Sequence, residues 1–182
     1  MARITRFENP DRFVVGTVGQ PGERTFFLQV REGNRLTSMS LEKSQVQALA
    51  ERLDFMVREI KKNDPTFILR PLARDDGPLE TPIEEEFRIG VISLAFDTSA
   101  QMIQIDLQAV SESAEENIEF SDDELSEKDL DLVRILLPPS EVDRFSKRAA
   151  IVVAAGRQPC PFCGGPLDPK GHLCPRSNGY RR

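Results

Sequence analysis

The residues best suited to chemistry lie together near the C-terminus of this 182-residue chain. All three cysteines, Cys160, Cys163 and Cys174, and the only histidine, His172, fall within QPCPFCGGPLDPKGHLCPRSNGYRR. Structural zinc takes four nitrogen or sulfur ligands in a tetrahedron, and a Cys-x2-Cys turn followed by glycine directs two thiolates to one point. The pattern C-x2-C-x8-H-x-C therefore predicts one closed zinc site with these four ligands.

Three other interpretations of this segment stay open on the sequence alone. CPFC matches the C-P-x-C of glutaredoxin-like oxidoreductases, but those place a helix directly after the motif, and GGPLDP cannot begin one. A catalytic zinc would keep one coordination position for water, which four protein ligands fill. Unmetallated thiols would leave a loose tail with too few apolar residues to fold. Asp168 is a substitute ligand if His172 faces away.

A second candidate site is aromatic and basic. In TFFLQVR, Phe27 with Arg24 and Arg31 could form a stacking platform for a single-stranded base, unless Phe27 lies under a helix or a partner. The net charge of −6 is unevenly distributed along the chain. The formal charges from residue 157 onward sum to 5 − 1 = +4, so the remainder carries −6 − 4 = −10. Such an acidic body argues against broad, charge-driven DNA or membrane binding. The tail would contribute Arg176, Tyr180, Arg181 and Arg182 to a nucleic-acid site.

No motif demands an enzyme. GTVGQPGERT leads into a strand and lacks the Lys-Ser or Lys-Thr of a phosphate-binding loop, so it predicts a hairpin turn. GVISLAF lacks the flanking glycines of a nucleophile elbow, and zinc would occupy the only histidine. Asp106 lies on a polar strand face without a visible partner. The acidic runs at 84–86 and 122–124 are interpreted as solvated.

The elements that must position these residues follow from hydrophobic periodicity. A helix is expected from about Leu41 to near Asn63 with Ser40 as its N-cap, and a second helix from Pro139 with Gly156 closing it. Strands are expected at ARITRFE (an edge strand), RFVVGTVG, RTFFLQVRE, NRLTSMSL, FRIGVISLAFD, QMIQIDLQAVSE and LDLVRILLP.

The two predicted helices share one rhythm. Val46, Leu49 and Leu53 recur as Val142, Phe145 and Ala149 at a constant offset of 96 positions. We therefore expect an α+β protein of two antiparallel sheet-plus-helix units, which a duplication would explain, with a small zinc-ribbon-like module at the C-terminus. The expected boundaries are 1–64 for the first unit, 65–86 for a Pro-rich acidic connector, 87–156 for the second unit with an acidic loop at 111–130, and 157–182 for the zinc-binding tail.

The expected compartment is the cytoplasm. The N-terminus MARITRFENPDRF lacks the apolar run of a secretory signal, and no apolar stretch approaches the roughly 20 residues that span a bilayer. Three cysteines cannot pair off internally, which argues against a disulfide framework. We therefore expect no membrane association.

The stretches RFVVGTVGQPGERTFFLQV and LEKSQVQALAERL, with the ending CPFCGGPLDPKGHLCPRSNGYRR, resemble an uncharacterised actinobacterial family filed as a domain of unknown function. The resemblance spans nearly the whole chain and implies no activity. It implies a shared pathway with a histidine-phosphatase-like protein and a lipid-kinase-like protein, beside which the family tends to occur. The family's ligand positions correspond to Cys160, Cys163, His172 and Cys174.

A looser resemblance concerns architecture. Several strands followed by a helix, twice over, is similar to the PUR and Whirly groups of single-strand nucleic-acid binders. The favoured function is a zinc-binding, non-enzymatic binding or adaptor protein with an unidentified protein partner. The alternatives are a single-stranded nucleic-acid-binding protein and an enzyme with a site between the two units. Formation of an oligomer stays open.

Overall fold

The structure is a computed structural model that describes residues 3–20, 22–111, 119–120, 130–156, 160–165, 167 and 172–176. Within these ranges the chain forms both β-strands and α-helices, so the α+β class is confirmed. In order they are β1 (Ile4–Phe7), β2 (Arg12–Val18), β3 (Thr25–Glu32), β4 (Arg35–Leu41), α1 (Lys43–Asn63), β5 (Glu85–Asp97), β6 (Met102–Ala109), β7 (Glu119–Phe120), β8 (Leu132–Leu137) and α2 (Pro139–Ala154).

The strands form one mixed sheet in the order β1-β8-β6-β5-β4-β3-β2, and the short β7 pairs with β5 off this path. β2, β3 and β4 are antiparallel, as are β5, β6 and β8. β4 pairs with β5 in parallel, and β1 pairs with β8 in parallel. Parallel neighbours need a long crossover, which α1 and the connector provide between β4 and β5. The expected pair of antiparallel units is therefore not confirmed, and the domain boundaries stay predictions.

The start of α1 differs from the expectation. Strand β4 runs through Leu41, and the N-cap is Glu42, whose backbone N–H donates to the Gln45 side chain over 2.8 Å. Ser40, expected as the cap, is instead the penultimate residue of β4, and its hydroxyl donates to the Glu85 carboxylate. The helix ends at Asn63 and α2 begins at Pro139, both as predicted.

One apolar core joins the sheet to both helices. α1 and α2 pack against each other, and their buried faces meet the sheet residues in a single cluster. Phe13 of β2 stacks on Phe145 of α2 with ring centroids 4.5 Å apart. Leu49 and Leu53 of the predicted apolar stripe of α1 are fully buried. None of the helices in the described part of the chain is long and apolar enough to cross a membrane.

The connector between α1 and β5 is bonded to the first strands. Gln29 of β3 donates to the Glu80 carbonyl over 2.9 Å and accepts from the Glu80 N–H over 2.7 Å. A side chain at Gly16 of β2 would meet Leu79, because a Cβ there would lie 2.6 Å from the leucine Cγ. Arg12 of β2 holds both oxygens of Asp75. Glycine at position 16 therefore lets the Leu79 side chain of the connector lie close against β2.

Candidate metal centre

The first arm of the candidate centre is a tight turn over residues 160–165. The Cys160 N–H donates to the Gly165 carbonyl over 2.7 Å, and the Gly164 N–H donates to the Cys160 carbonyl over 2.8 Å. Gly164 has a φ of +74°, a left-handed conformation that glycine adopts without strain. The Phe162 N–H points at the Cys160 sulfur, 3.4 Å away. The turn thus holds the buried thiol of Cys160 near the half-buried thiol of Cys163 and supplies an N–H donor to the first.

The second arm brings His172 and Cys174 back to this turn. The Cys160 and Cys174 sulfurs lie 3.9 Å apart, and the Cys163 sulfur lies 3.3 Å from His172 Nε2. The Arg176 guanidinium donates to the Phe162 carbonyl over 3.2 Å and so ties the two arms together. The four ligand atoms all lie within 4.8 Å of one another.

These separations fit a tetrahedral metal ion. Zinc–sulfur bonds of about 2.3 Å place two sulfurs about 3.8 Å apart at the tetrahedral angle, close to the observed Cys160–Cys174 distance. The cysteines are free thiols, since that distance is far longer than the roughly 2 Å of a disulfide bond. Cys160, Cys163, His172 and Cys174 could therefore hold a metal ion.

The thiol of Cys163 ionises less readily in this cluster than a free thiol. The Gly165 N–H lowers the pKa of the Cys163 thiol, but desolvation and the thiols of Cys174 and Cys160 outweigh it and raise that pKa above its ordinary value. Crowded thiols resist ionisation because each new thiolate is repelled by the next. A divalent cation reverses this balance, since it deprotonates coordinating thiols outright.

The imidazole presents one nitrogen to the cluster. Nε2 of His172 faces the Cys163 sulfur, which makes it the ligand atom. Nδ1 is buried and has no hydrogen-bond partner among the residues that the structure describes. A ligating histidine usually donates from its second nitrogen to a carbonyl or carboxylate. Residues 168–171, and with them the alternative ligand Asp168, lie outside the described ranges.

The local structure does not favour the redox interpretation. Glutaredoxin-like motifs place the first cysteine at a helix N-terminus, which stabilises its thiolate. Here residues 161–163 form a turn and 164–165 are extended or irregular, so no helix follows the motif within 160–165. All four candidate ligands also lie together, and four protein ligands would fill a tetrahedral shell. A catalytic zinc site instead keeps one position open for water.

The predicted nucleic-acid residues do not form one exposed platform. Phe27 is only 9% exposed and lies between Gly16 and Ser40 on the neighbouring strands. Arg24 donates to the Ala155 carbonyl, and Arg31 pairs with Asp11 and Glu80. Arg176 is exposed beside the metal centre, whereas Tyr180, Arg181 and Arg182 lie outside the described residues. Nucleic-acid binding stays a prediction.

Asp106, for which the sequence showed no partner, is paired in the structure. Arg134 of β8 lies directly opposite in register and donates from Nε and Nη2 to the two oxygens of Asp106 over 2.8 and 2.7 Å. Gln104 adds a third hydrogen bond. The pair was not visible beforehand because register between β6 and β8 is not a local property. Among the acidic runs, Glu85 accepts from Ser40, and residues 122–124 lie outside the described part.

A group missed by the sequence analysis joins the connector to α2 and β2. Asp75 accepts from Arg12 at 2.6 Å and lies 3.4 Å from Arg148 of α2. The hydrogen bond from Arg12 is the largest cause that lowers the pKa of Asp75, to about 2. Arg148 also donates to the carbonyl of Val15. The only signal in the sequence was an arginine within the apolar run of α2.

Comparison with known proteins gives a family and no activity. A family model described as "Protein of unknown function (DUF3090)" matches residues 5–174, a span that contains all four candidate ligands. No curated protein and no solved structure matches the chain significantly.

Proposed function

We propose that this chain, which belongs to the DUF3090 family, is a zinc-binding adaptor protein without catalytic activity of its own. The observation that carries the proposal is the convergence of four protein ligand atoms within 4.8 Å of one another. Four protein ligands complete a tetrahedral shell, so no position remains for a reacting water or substrate. The centre is therefore proposed to give the C-terminal segment its shape.

The ligand chemistry favours zinc over other cations. Three thiolates and one imidazole are soft or borderline ligands, which select zinc and iron–sulfur chemistry over magnesium or calcium. With a neutral histidine, the bound site would carry a charge of about −1. The Arg176 side chain, bonded to the Phe162 carbonyl within the centre, is placed to offset that charge.

Little besides a metal would hold the segment in this shape. Among the residues of the segment that the structure describes, Cys160 and Cys174 are buried and Leu167 is half-buried, whereas Phe162 and Leu173 point to solvent. Phe162 is 64% exposed and Leu173 is 87% exposed. Small metal-binding segments of this kind draw their folding free energy from the metal, because the ligands do not converge in the unfolded chain.

The same exposed side chains support the adaptor function. Phe162 and Leu173 each lie next to a ligand, so zinc would fix their positions at the surface. Aromatic and apolar side chains held rigidly at a surface are the usual anchors of protein interfaces. The exposed Arg176 adds a charged neighbour, which suits a protein partner with an acidic rim.

Affinity capture with matched variants tests the proposal. The bait is the purified full chain, compared with Phe162→Ser/Leu173→Ser, which keeps every ligand, and with Phe55→Ser, which removes an exposed phenylalanine from α1 (58% exposed). We expect one partner to be retained by the wild type and by Phe55→Ser, and to be lost by the double variant and by Cys163→Ser. A partner that binds all four proteins equally would contradict an adaptor role for the centre.

The capture experiment should include a nucleic-acid arm. The same four proteins are titrated with a single-stranded RNA and a single-stranded DNA at two salt concentrations. Phosphate contacts weaken steeply as salt rises. Salt-dependent binding by the wild type, with no protein partner captured, would replace the adaptor proposal with the nucleic-acid-binding alternative.

The duplication remains part of the proposal for the architecture. Each helix follows three antiparallel strands, β2-β3-β4 before α1 and β5-β6-β8 before α2. The helices begin at residues 43 and 139, which are 139 − 43 = 96 positions apart. This equals the offset between their apolar stripes and supports two related units within the one sheet.

A further inference from the structure

A cavity of about 460 Å³ opens between the edge strand β2, the connector and the C-terminal half of α2. No ligand of the candidate metal centre lines it. Its volume falls in the range that holds small organic ligands. The lining residues that matter here are Thr17, Arg24, Leu79, Arg148, Val152 and Ala155.

Arg24 brings a guanidinium to this cavity. Its Nη1 donates to the Ala155 carbonyl over 2.7 Å, which holds the side chain across the end of α2. Its Nε is buried and has no hydrogen-bond partner among the described residues. The side chain lines the cavity, so its guanidinium is placed to donate to an acceptor that comes from outside the chain.

Arg148 brings a second guanidinium to the same wall. Its Nε donates to the Val15 carbonyl over 2.7 Å and its Nη1 donates to the Asp75 carbonyl over 2.5 Å. The side chain is mostly buried, so its position is fixed before a ligand arrives.

The acidic groups near the cavity are already neutralised. Asp76, which lines it, is bound through both oxygens by Arg74. Asp75 is held by Arg12 on one side and approached by Arg148 on the other. The two arginines on the wall therefore give it an excess of positive charge in a protein whose net charge is −6.

We propose that this cavity binds a small organic anion, with its phosphate or carboxylate group at Arg24 and Arg148 and its apolar part against Leu79 and Val152. Guanidinium groups match the planar or tetrahedral oxygens of both head groups, and charge-assisted hydrogen bonds in a partly desolvated site are the strong ones. The apolar wall favours a ligand with a hydrocarbon body over an inorganic ion.

Titration with four simple probes tests the proposal. Phenyl phosphate and benzoate carry the two head groups on one apolar ring, inorganic phosphate lacks the ring, and benzyl alcohol lacks the charge. Binding is measured by calorimetry and by the Nε–H resonances of ¹⁵N-labelled arginine, with the Arg24 signal assigned by its loss in a variant. We expect at least one ring anion to bind about tenfold or more tightly than benzyl alcohol and to shift the Arg24 signal.

Three variants separate charge from shape. Arg24→Gln removes the guanidinium, Ala155→Trp fills the cavity from an exposed position without removing a charge, and Arg58→Gln removes an exposed arginine of α1 outside the cavity. We expect affinity to fall about tenfold or more in the first two and to stay unchanged in the third. Equal binding of a ring anion by all three variants would overturn the proposal. So would binding of benzyl alcohol as tight as that of the ring anions, or no binding of either ring anion at about 10 mM.

Discussion

The metal centre and the sheet–helix body are stabilised by different means. In the body, fully buried side chains such as Leu53 and Phe145 form one continuous apolar cluster. In the described part of the candidate centre, the buried side chains are those of the candidate ligands Cys160 and Cys174, and the apolar Leu173 lies in solvent. Apolar burial stabilises the first region, and in our account a zinc ion stabilises the second. Each region should therefore respond to a perturbation that leaves the other unchanged.

Removal of the metal should have the largest effect. Structural zinc sites gain on the order of 10 kcal/mol from the ion, so a strong chelator should unfold residues 160–176 while the body stays folded. Hydrogen exchange measures this directly. The N–H groups of Gly164 and Phe162 donate to Cys160 within the turn. We expect both amides to lose their protection from exchange when the metal is removed. Amides in the interior of α1 serve as the internal control, and their loss of protection together with the centre would show that the two regions are coupled.

A cavity in the core should have the converse effect. Leu53→Ala removes a fully buried side chain of α1 and should lower the free energy of unfolding by about 2–5 kcal/mol. Zinc content per folded chain should stay the same. Phe55→Ala, at an exposed position of the same helix, is the matched control and should change stability by no more than about 0.5 kcal/mol. Urea unfolding and metal analysis of both variants check the prediction, which fails if Leu53→Ala releases zinc from folded protein.

The connector should contribute less than the core. Asp75 is mostly buried, and a pKa lowered from 3.8 to about 2 corresponds to about 2 kcal/mol of stability. Because the pKa is depressed in the folded state, this stability is fully present above about pH 4 and is lost as the pH falls through about 2. Asp75→Asn should lower the unfolding free energy at pH 7 by about this amount and flatten its dependence on pH between 4 and 2.

Urea midpoints measured from pH 7 to pH 2 give both quantities. Asp76→Asn is the control, since the Asp76 carboxylate is exposed and forms an exposed ion pair with Arg74. An unchanged slope between pH 4 and 2 in Asp75→Asn would refute the role of this carboxylate as an anchor of the connector.

The smallest effect is expected from an apolar residue of the centre. Phe162→Ala removes an exposed ring from the turn that holds Cys160 and Cys163, and it should leave zinc content unchanged and stability within about 0.5 kcal/mol. The variant to compare it with is Cys163→Ser, one position away, which should lose the metal. Loss of zinc from Phe162→Ala would mean that apolar packing, and not coordination alone, holds the centre together.

Local features of the fold were predictable from the sequence, whereas pairing between distant segments was not. The strand β2, the end of α1 and the start of α2 follow from periodicity and from Asn63 and Pro139. The clustering of four soft ligands was equally visible, because the spacing of the two arms is short. The pairing of β1 with β8 and of β4 with β5 depends on segments far apart in the chain.

The features that the sequence analysis misplaced or missed all depend on contacts between distant segments of the chain. Ser40 has good N-cap chemistry, but β4 continues past it to pair with β5, so Glu42 takes the cap. Asp106 meets Arg134 only through the register of two strands. The cavity at Arg24 forms from three elements that no local pattern joins. Tertiary pairing overrode the local cap preference of Ser40, and strand register, which is not a local property, set the partner of Asp106.

Metal analysis of the full-length protein, purified without added metal or chelator, tests the central claim most directly. Elemental analysis gives the stoichiometry, and X-ray absorption gives the ligand shell. The account predicts one zinc per chain with sulfur neighbours at about 2.3 Å, retained in Phe162→Ala and lost in Cys163→Ser. Protein without bound zinc, or zinc retained in full by Cys163→Ser, would contradict it.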